Sequence, residues 1–116
     1  MSDRRIVVTG MGLVSPLGSG VEAVWARLLA GRSGLRALPD AVVADLPAKV
    51  GGAVPSIADD AEAGFDPDRA IAPKEQKKMD RFIMFAIEAA RQALEQAGWQ
   101  AQDANAQERT ATIIGS

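Results

Sequence analysis

Two short β-branched runs stand at opposite ends of the chain, Ile6-Val7-Val8-Thr9 and Thr110-Ala111-Thr112-Ile113-Ile114. Both are apolar at consecutive positions. A strand with one wet face alternates apolar and polar residues. A run without alternation predicts burial on both faces, as in a parallel sheet. Parallel neighbours need a long crossover between them, usually helical. The chain supplies one: Met79, Phe82, Ile83, Ala86, Ile87, Ala90, Leu94 and Ala97 keep helical spacing, and Gly98 stops them. The order strand, helices, strand predicts an α/β fold.

The remaining segments fit that frame. Ser19-Gly20-Val21-Glu22 has the spacing of a capping box. Val21, Val24, Trp25, Leu28 and Leu29 then form one apolar helical face, with Gly31 as the stop, so a helix is expected over residues 20–30. Residues 36–73 hold several prolines and read as an irregular surface connection, with a short strand at residues 49–54. Asp59, Asp60 and Glu62 lie in its acidic part. They lack the spacing and glycine of a calcium loop and read as surface residues. Pro73 opens a helical region, and Asp80 either caps a second helix or continues the first. Residues 99–108 read as a loop. Trp25, Phe82, Phe85 and Trp99 read as core or interface packing. Two strands and the helices between them cannot cover both faces of a sheet. Residues 1–116 are therefore expected to be the incomplete N-terminal part of a longer protein, unable to fold alone.

The sequence has no Cys and no His. Disulfides, Cys and His metal sites, and Ser-His or Cys-His nucleophile pairs are excluded from these residues. A formal net charge of −2 gives no global sign of nucleic-acid binding. The polar start and the short apolar run after it do not make a secretory signal, so a cytoplasmic protein is expected.

Gly10 and Gly12 follow the first run as G-x-G, which raises the question of a nucleotide site. A dinucleotide fingerprint needs a third glycine where Ser15 stands, and an acidic residue further on, where residues 28–34 contain none. The short-chain dehydrogenase pattern needs glycine at Val14 and Pro16. No phosphate-binding P-loop is present. Gly10, Gly12 and Pro16 therefore read as a structural turn, with the glycines placed where a side chain would clash.

The blocks RRIVVTGMGLVSPLG from Arg4, VEAVWARLLAGRSG from Val21, KEQKKMDRF from Lys74 and the closing ATIIGS, in this order, resemble the N-terminus of β-ketoacyl-acyl carrier protein synthases of the elongating, ketosynthase II type. The resemblance covers nearly the whole chain and is weakest over residues 35–73. It implies a thiolase-like fold, a five-layer αβαβα sandwich when complete, and a homodimer. It also implies a decarboxylative Claisen condensation in fatty acid elongation. An acyl group carried on phosphopantetheine by acyl carrier protein moves to a Cys, and malonyl-carrier protein attacks it after losing CO₂. The family's nucleophilic Cys and two His residues have no counterpart here, so no catalytic residue is expected in this chain and no bound cofactor. Alone it is expected to be inactive. Two other readings stand beside this one: a non-catalytic chain-length partner in polyketide synthesis, and a nucleotide-binding α/β domain.

One candidate site is left. Lys74, Lys77, Lys78 and Arg81 fall at i, i+3, i+4 and i+7, on one side of a continuous helix. A charge run of this kind reads either as a solvated face or as a docking patch. The resemblance implies the second, with the acidic acyl carrier protein as partner and Lys74, Lys77 and Lys78 at matching positions.

Overall fold

The computed structural model describes residues 3–116. Its first element is a tight antiparallel hairpin, β1 (Val14–Ser15) and β2 (Gly18–Ser19), with Val14 opposite Ser19. Pro16 lies in the turn, where its fixed φ suits the reversal. The Ser15 hydroxyl accepts from the Leu17 amide at 3.1 Å.

Helix α1 (Val21–Leu29) follows directly and ends before Gly31, at φ +72°. Next come β3 (Leu35–Ala37), one turn of helix α2 (Asp40–Val43), and β4 (Val50–Gly52). β3 and β4 pair antiparallel, Leu35 opposite Gly52. Lys49 Nζ donates to the Val43 carbonyl at the end of α2, at 2.6 Å, beside the Leu46 amide that donates to the same oxygen at 3.0 Å. A 3₁₀ turn at Pro67–Arg69 leads to α3 (Pro73–Gln76), with proline in its first turn. The long helix α4 (Arg81–Ala97) ends at Gly98 in the left-handed region, as its sequence predicts. A last short helix, α5 (Ala104–Glu108), stands where the sequence reads as loop. Asp103 explains it, because its carboxylate accepts from the Ala106 amide at 2.8 Å.

The buried apolar side chains are Val24, Val43, Ala63, Phe65 and Ile71. Phe65 is joined from α4 by Phe85, edge to face, with ring centroids 4.9 Å apart.

Several expectations are corrected. Residues 6–9 and 110–114 form no strand, and Ile6 is 97% and Ile113 90% exposed. An apolar run becomes a strand only when another edge pairs with it, and the described residues offer neither run such an edge. The capping box at Ser19 does not form, and Gly20 is the N-cap of α1. Ser19 is held instead in the hairpin ladder, and its amide donates to the Ala63 carbonyl at 2.7 Å. Trp25 is 59% and Phe82 61% exposed, so neither is core among the described residues, while Phe85 packs on Phe65. Of the apolar face of α1 only Val24 is buried, while Trp25 and Leu28 line an open cleft with Met11 and Leu13.

Candidate functional site

Gly10 and Gly12 lie against the backbone of α4. A Cβ on Gly12 would land 2.6 Å from the Ala89 carbonyl carbon and closer still to its oxygen. A Cβ on Gly10 would meet the Ala93 carbonyl and the Ala97 amide in the same way. The backbone amides of this segment are taken up by side chains of the helix. Met11 N–H donates to Gln96 Oε1 at 2.7 Å, and Leu13 N–H to Gln92 Oε1 at 2.9 Å. The glycines answer to close packing. Pro16 fits the same description, since a Cβ on Gly52 would stand 2.8 Å from its Cγ.

Two ion-pair networks brace this frame, and neither was legible as a site in the sequence. Gln92 Nε2 donates to Ser19 Oγ and to Glu88 Oε1. Glu88 is 2% exposed and receives a forked pair of hydrogen bonds from Arg91, both 2.8 Å. Burial pushes the Glu88 carboxyl upward, but the hydrogen bonds from Arg91 and Gln92 outweigh it, and its pKa is lowered overall. Arg27 is the second anchor. It projects from α1 to donate to the Leu17 carbonyl and to both oxygens of Asp60. Asp60 also accepts from the amides of Glu62 and Ala63. The Arg27 guanidinium, with these amides, holds the Asp60 carboxyl well below the usual carboxylate range. The reading of Asp60 as a surface residue is thereby corrected; it ties α1 to the 56–65 loop. Asp59 turns back on Ser56, whose hydroxyl lowers its pKa. Spacing gives a partial signal for the first network, since Arg91 sits three residues after Glu88 and four before Glu95. The Arg27–Asp60 pair joins distant segments and leaves no such trace.

The basic segment joins α3 to α4. The sequence places Lys74, Lys77, Lys78 and Arg81 on one helical stripe, and the structure breaks that stripe. α3 ends at Gln76 with Lys77 as its C-cap, and Asp80 is extended, with ψ 159°, as the N-cap of α4. Its carbonyl already accepts from Ile83 and Met84, so α4 starts afresh. The four cations therefore divide. Lys74 and Lys77 are exposed and enter no ion pair among the described residues. Lys78 Nζ meets both oxygens of Glu75, at 3.1 and 3.3 Å. Arg81 folds back, its guanidinium 5.2 Å over the Phe85 ring and 3.4 Å from the Val54 carbonyl. Gln76 fixes the base of the turn by donating to Asp68 Oδ1 at 2.7 Å and to the Ile71 carbonyl at 2.9 Å. The result is a small basic knuckle of Lys74, Lys77 and Lys78 on a pinned turn.

Among the described residues no helix is long and apolar enough to cross a membrane. The arrangement holds an electrostatic contact surface and packing anchors.

Helices and hairpins in this order place the chain in the thiolase-like class of ketosynthases, as a solved structure shows: the ishigamide ketosynthase/chain length factor superposes on 88% of this chain with a TM-score of 0.70 and 34% identity. The chain belongs to the beta-ketoacyl synthase family, whose N-terminal domain model matches residues 3–116. It is 45% identical, over 97% of its length, to 3-oxoacyl-(acyl-carrier-protein) synthase 2 of Rhizobium meliloti, and 40% identical over its whole length to the protein of that name from Vibrio cholerae. It covers 27% and 26% of those two relatives and 23% of the ishigamide protein, so it spans about a quarter of the length of the proteins it matches.

Proposed function

We propose that this chain is the N-terminal part of a 3-oxoacyl-(acyl-carrier-protein) synthase that elongates fatty acyl chains. The observation that carries this reading is the 45% identity to synthase 2 of Rhizobium meliloti over nearly the whole chain. The reaction joins an acyl thioester to malonyl-carrier protein. A thiol takes the acyl group, the malonyl unit loses CO₂, and the carbanion so formed attacks the acyl carbon and expels the thiolate. With no Cys and no His, these residues supply neither the thiol nor an imidazole. Their part is scaffold and docking. The full protein is a cytoplasmic homodimer in this reading, and its remaining length covers the apolar surface around Ile6, Phe82 and Ile113.

The docking partner is acyl carrier protein, an acidic domain that delivers its cargo on a phosphopantetheine arm. Lys74, Lys77 and Lys78 present positive charge on a turn held by Gln76, and complementary charge sets encounter rate and orientation. Arg81 is exposed but lies over the Phe85 ring and reaches the Val54 carbonyl, away from the lysines' ion pairing.

The experiment is a condensation assay on the full-length protein with acyl- and malonyl-carrier protein, beside the isolated chain. A 3-oxoacyl product from the full-length protein alone supports the reading. No product without a second ketosynthase subunit favours the chain-length partner instead, which the likeness to the ishigamide ketosynthase/chain length factor keeps in view. Lys77→Glu should weaken carrier binding several-fold at low salt and flatten its salt dependence. Equal affinity of variant and parent at low salt would remove the docking assignment.

A further inference from the structure

We propose that Glu75 is a built-in competitor for the carrier's carboxylates, holding Lys78 out of the docking contact until a partner displaces it. The inference rests on the docking reading above and concerns the same turn. Of the three lysines, Lys78 alone is already engaged: its ammonium bridges both Glu75 oxygens, at 3.1 and 3.3 Å. Lys74 and Lys77 have no such partner among the described residues. Both members of the pair are substantially exposed, 61% for Lys78 and 47% for Glu75, so the pair is weak enough to open.

Glu75 acts in two ways. It engages the Lys78 ammonium, up to two of whose three N–H donors face Glu75, so an incoming carboxylate meets a cation already paired. It also lowers the charge of the segment: Lys74, Lys77, Lys78 and Arg81 against Glu75 and Asp80 leave a net charge of +2 over residues 74–81, and removing Glu75 raises it to +3. An acidic partner must therefore exchange one ion pair for another at Lys78, which costs little net energy and makes that contact discriminating. A partner with a carboxylate aimed at Lys78 recovers the pair, and a partner without one meets Glu75 as a like charge. Electrostatic arrangements of this kind set specificity more than affinity.

The test is a set of titrations of the full-length protein with acyl carrier protein at low and high salt. Glu75→Gln keeps the shape of the side chain and should tighten binding by roughly two- to fivefold at low salt, with the gain fading as salt screens the turn. Lys78→Gln separates the two actions: in that background the Glu75→Gln gain should shrink to less than half. Lys77→Glu serves as the control for docking itself. If Lys77→Glu weakens binding while Glu75→Gln leaves it unchanged, docking stands and the competitor role is overturned. A full Glu75→Gln gain in the Lys78→Gln background also overturns it, because Glu75 would then act as bulk charge alone. If neither Lys77→Glu nor Glu75→Gln changes affinity, the docking reading falls and this inference with it.

Discussion

Gly12→Ala is the substitution expected to damage this fold most for its size. The added methyl would stand 2.6 Å from the Ala89 carbonyl carbon and 2.9 Å from its Cα. The Ala89 carbonyl oxygen lies nearer still, so to restore ordinary contacts α4 must retreat, or the 10–13 segment must lift, by roughly 1.5 Å. Overpacking of this kind costs about 1–3 kcal/mol. The movement also stretches the bonds from Met11 and Leu13 to Gln96 and Gln92, each worth about 0.5–1.5 kcal/mol. The sum is about 2–6 kcal/mol, a large part of the ~5–15 kcal/mol that holds a typical protein together. Denaturant unfolding of the full-length protein should show it as a lower midpoint. A second variant tests the reason as well as the size. The colliding atoms belong to the backbone of Ala89, so Gly12→Ala combined with Ala89→Gly should be no more stable than Gly12→Ala alone. It should lose about 0.5–1 kcal/mol more from glycine inside a helix. Rescue by Ala89→Gly would refute the close-approach argument.

The ion pair between Arg27 and Asp60 should give a distinctive acid profile. The folded-state pKa of Asp60 is depressed, so the pair's stabilisation is fully present above the unfolded carboxylate pKa, near 4, and fades as pH falls through the folded value. Arg27→Met should lower the denaturant midpoint by a constant amount above about pH 5, with the gap from the parent narrowing in stronger acid; a gap that stays constant down to pH 2 would count against it. The acidic N-caps of α4 and α5 should behave differently. Asp103→Ala loses a real cap on the Ala106 amide and should cost α5 about 1 kcal/mol, read as faster hydrogen exchange over residues 104–109. Asp80 makes no side-chain cap bond, so Asp80→Ala should leave exchange at the start of α4 within about twofold of the parent.

The sequence made the local elements legible and the long-range ones only in part. α1 and α4 follow from helical spacing and their glycine stops, and the family follows from four motif blocks in order. The role of Gly10 and Gly12 was readable as a close approach, but what approaches them was not, because α4 lies far along the chain. The strand pattern of residues 6–9 and 110–114 records an environment, burial on both faces, that these residues do not provide for each other. The basic stripe failed at one dihedral: extended Asp80 splits a periodicity that a single helix would satisfy equally well. Arg27 could not be separated from other helical arginines, because its partner Asp60 sits in a loop whose path is set by packing.

The match between the first segment and α4 works like a vernier scale. Gly12 faces Ala89 and Gly10 faces Ala93, while Leu13 meets Gln92 and Met11 meets Gln96. Two residues of extended chain advance about 6.6 Å and four residues of helix about 6.0 Å, so the two rulers agree over this short run. A slip by one residue would drive the Met11 side chain into the Ala89 backbone and strand two amides. The pair G-x-G and Q-x-x-x-Q thus behaves as one split motif, whose halves set each other's alignment. Among relatives, a change in either half should be accompanied by a change in the other.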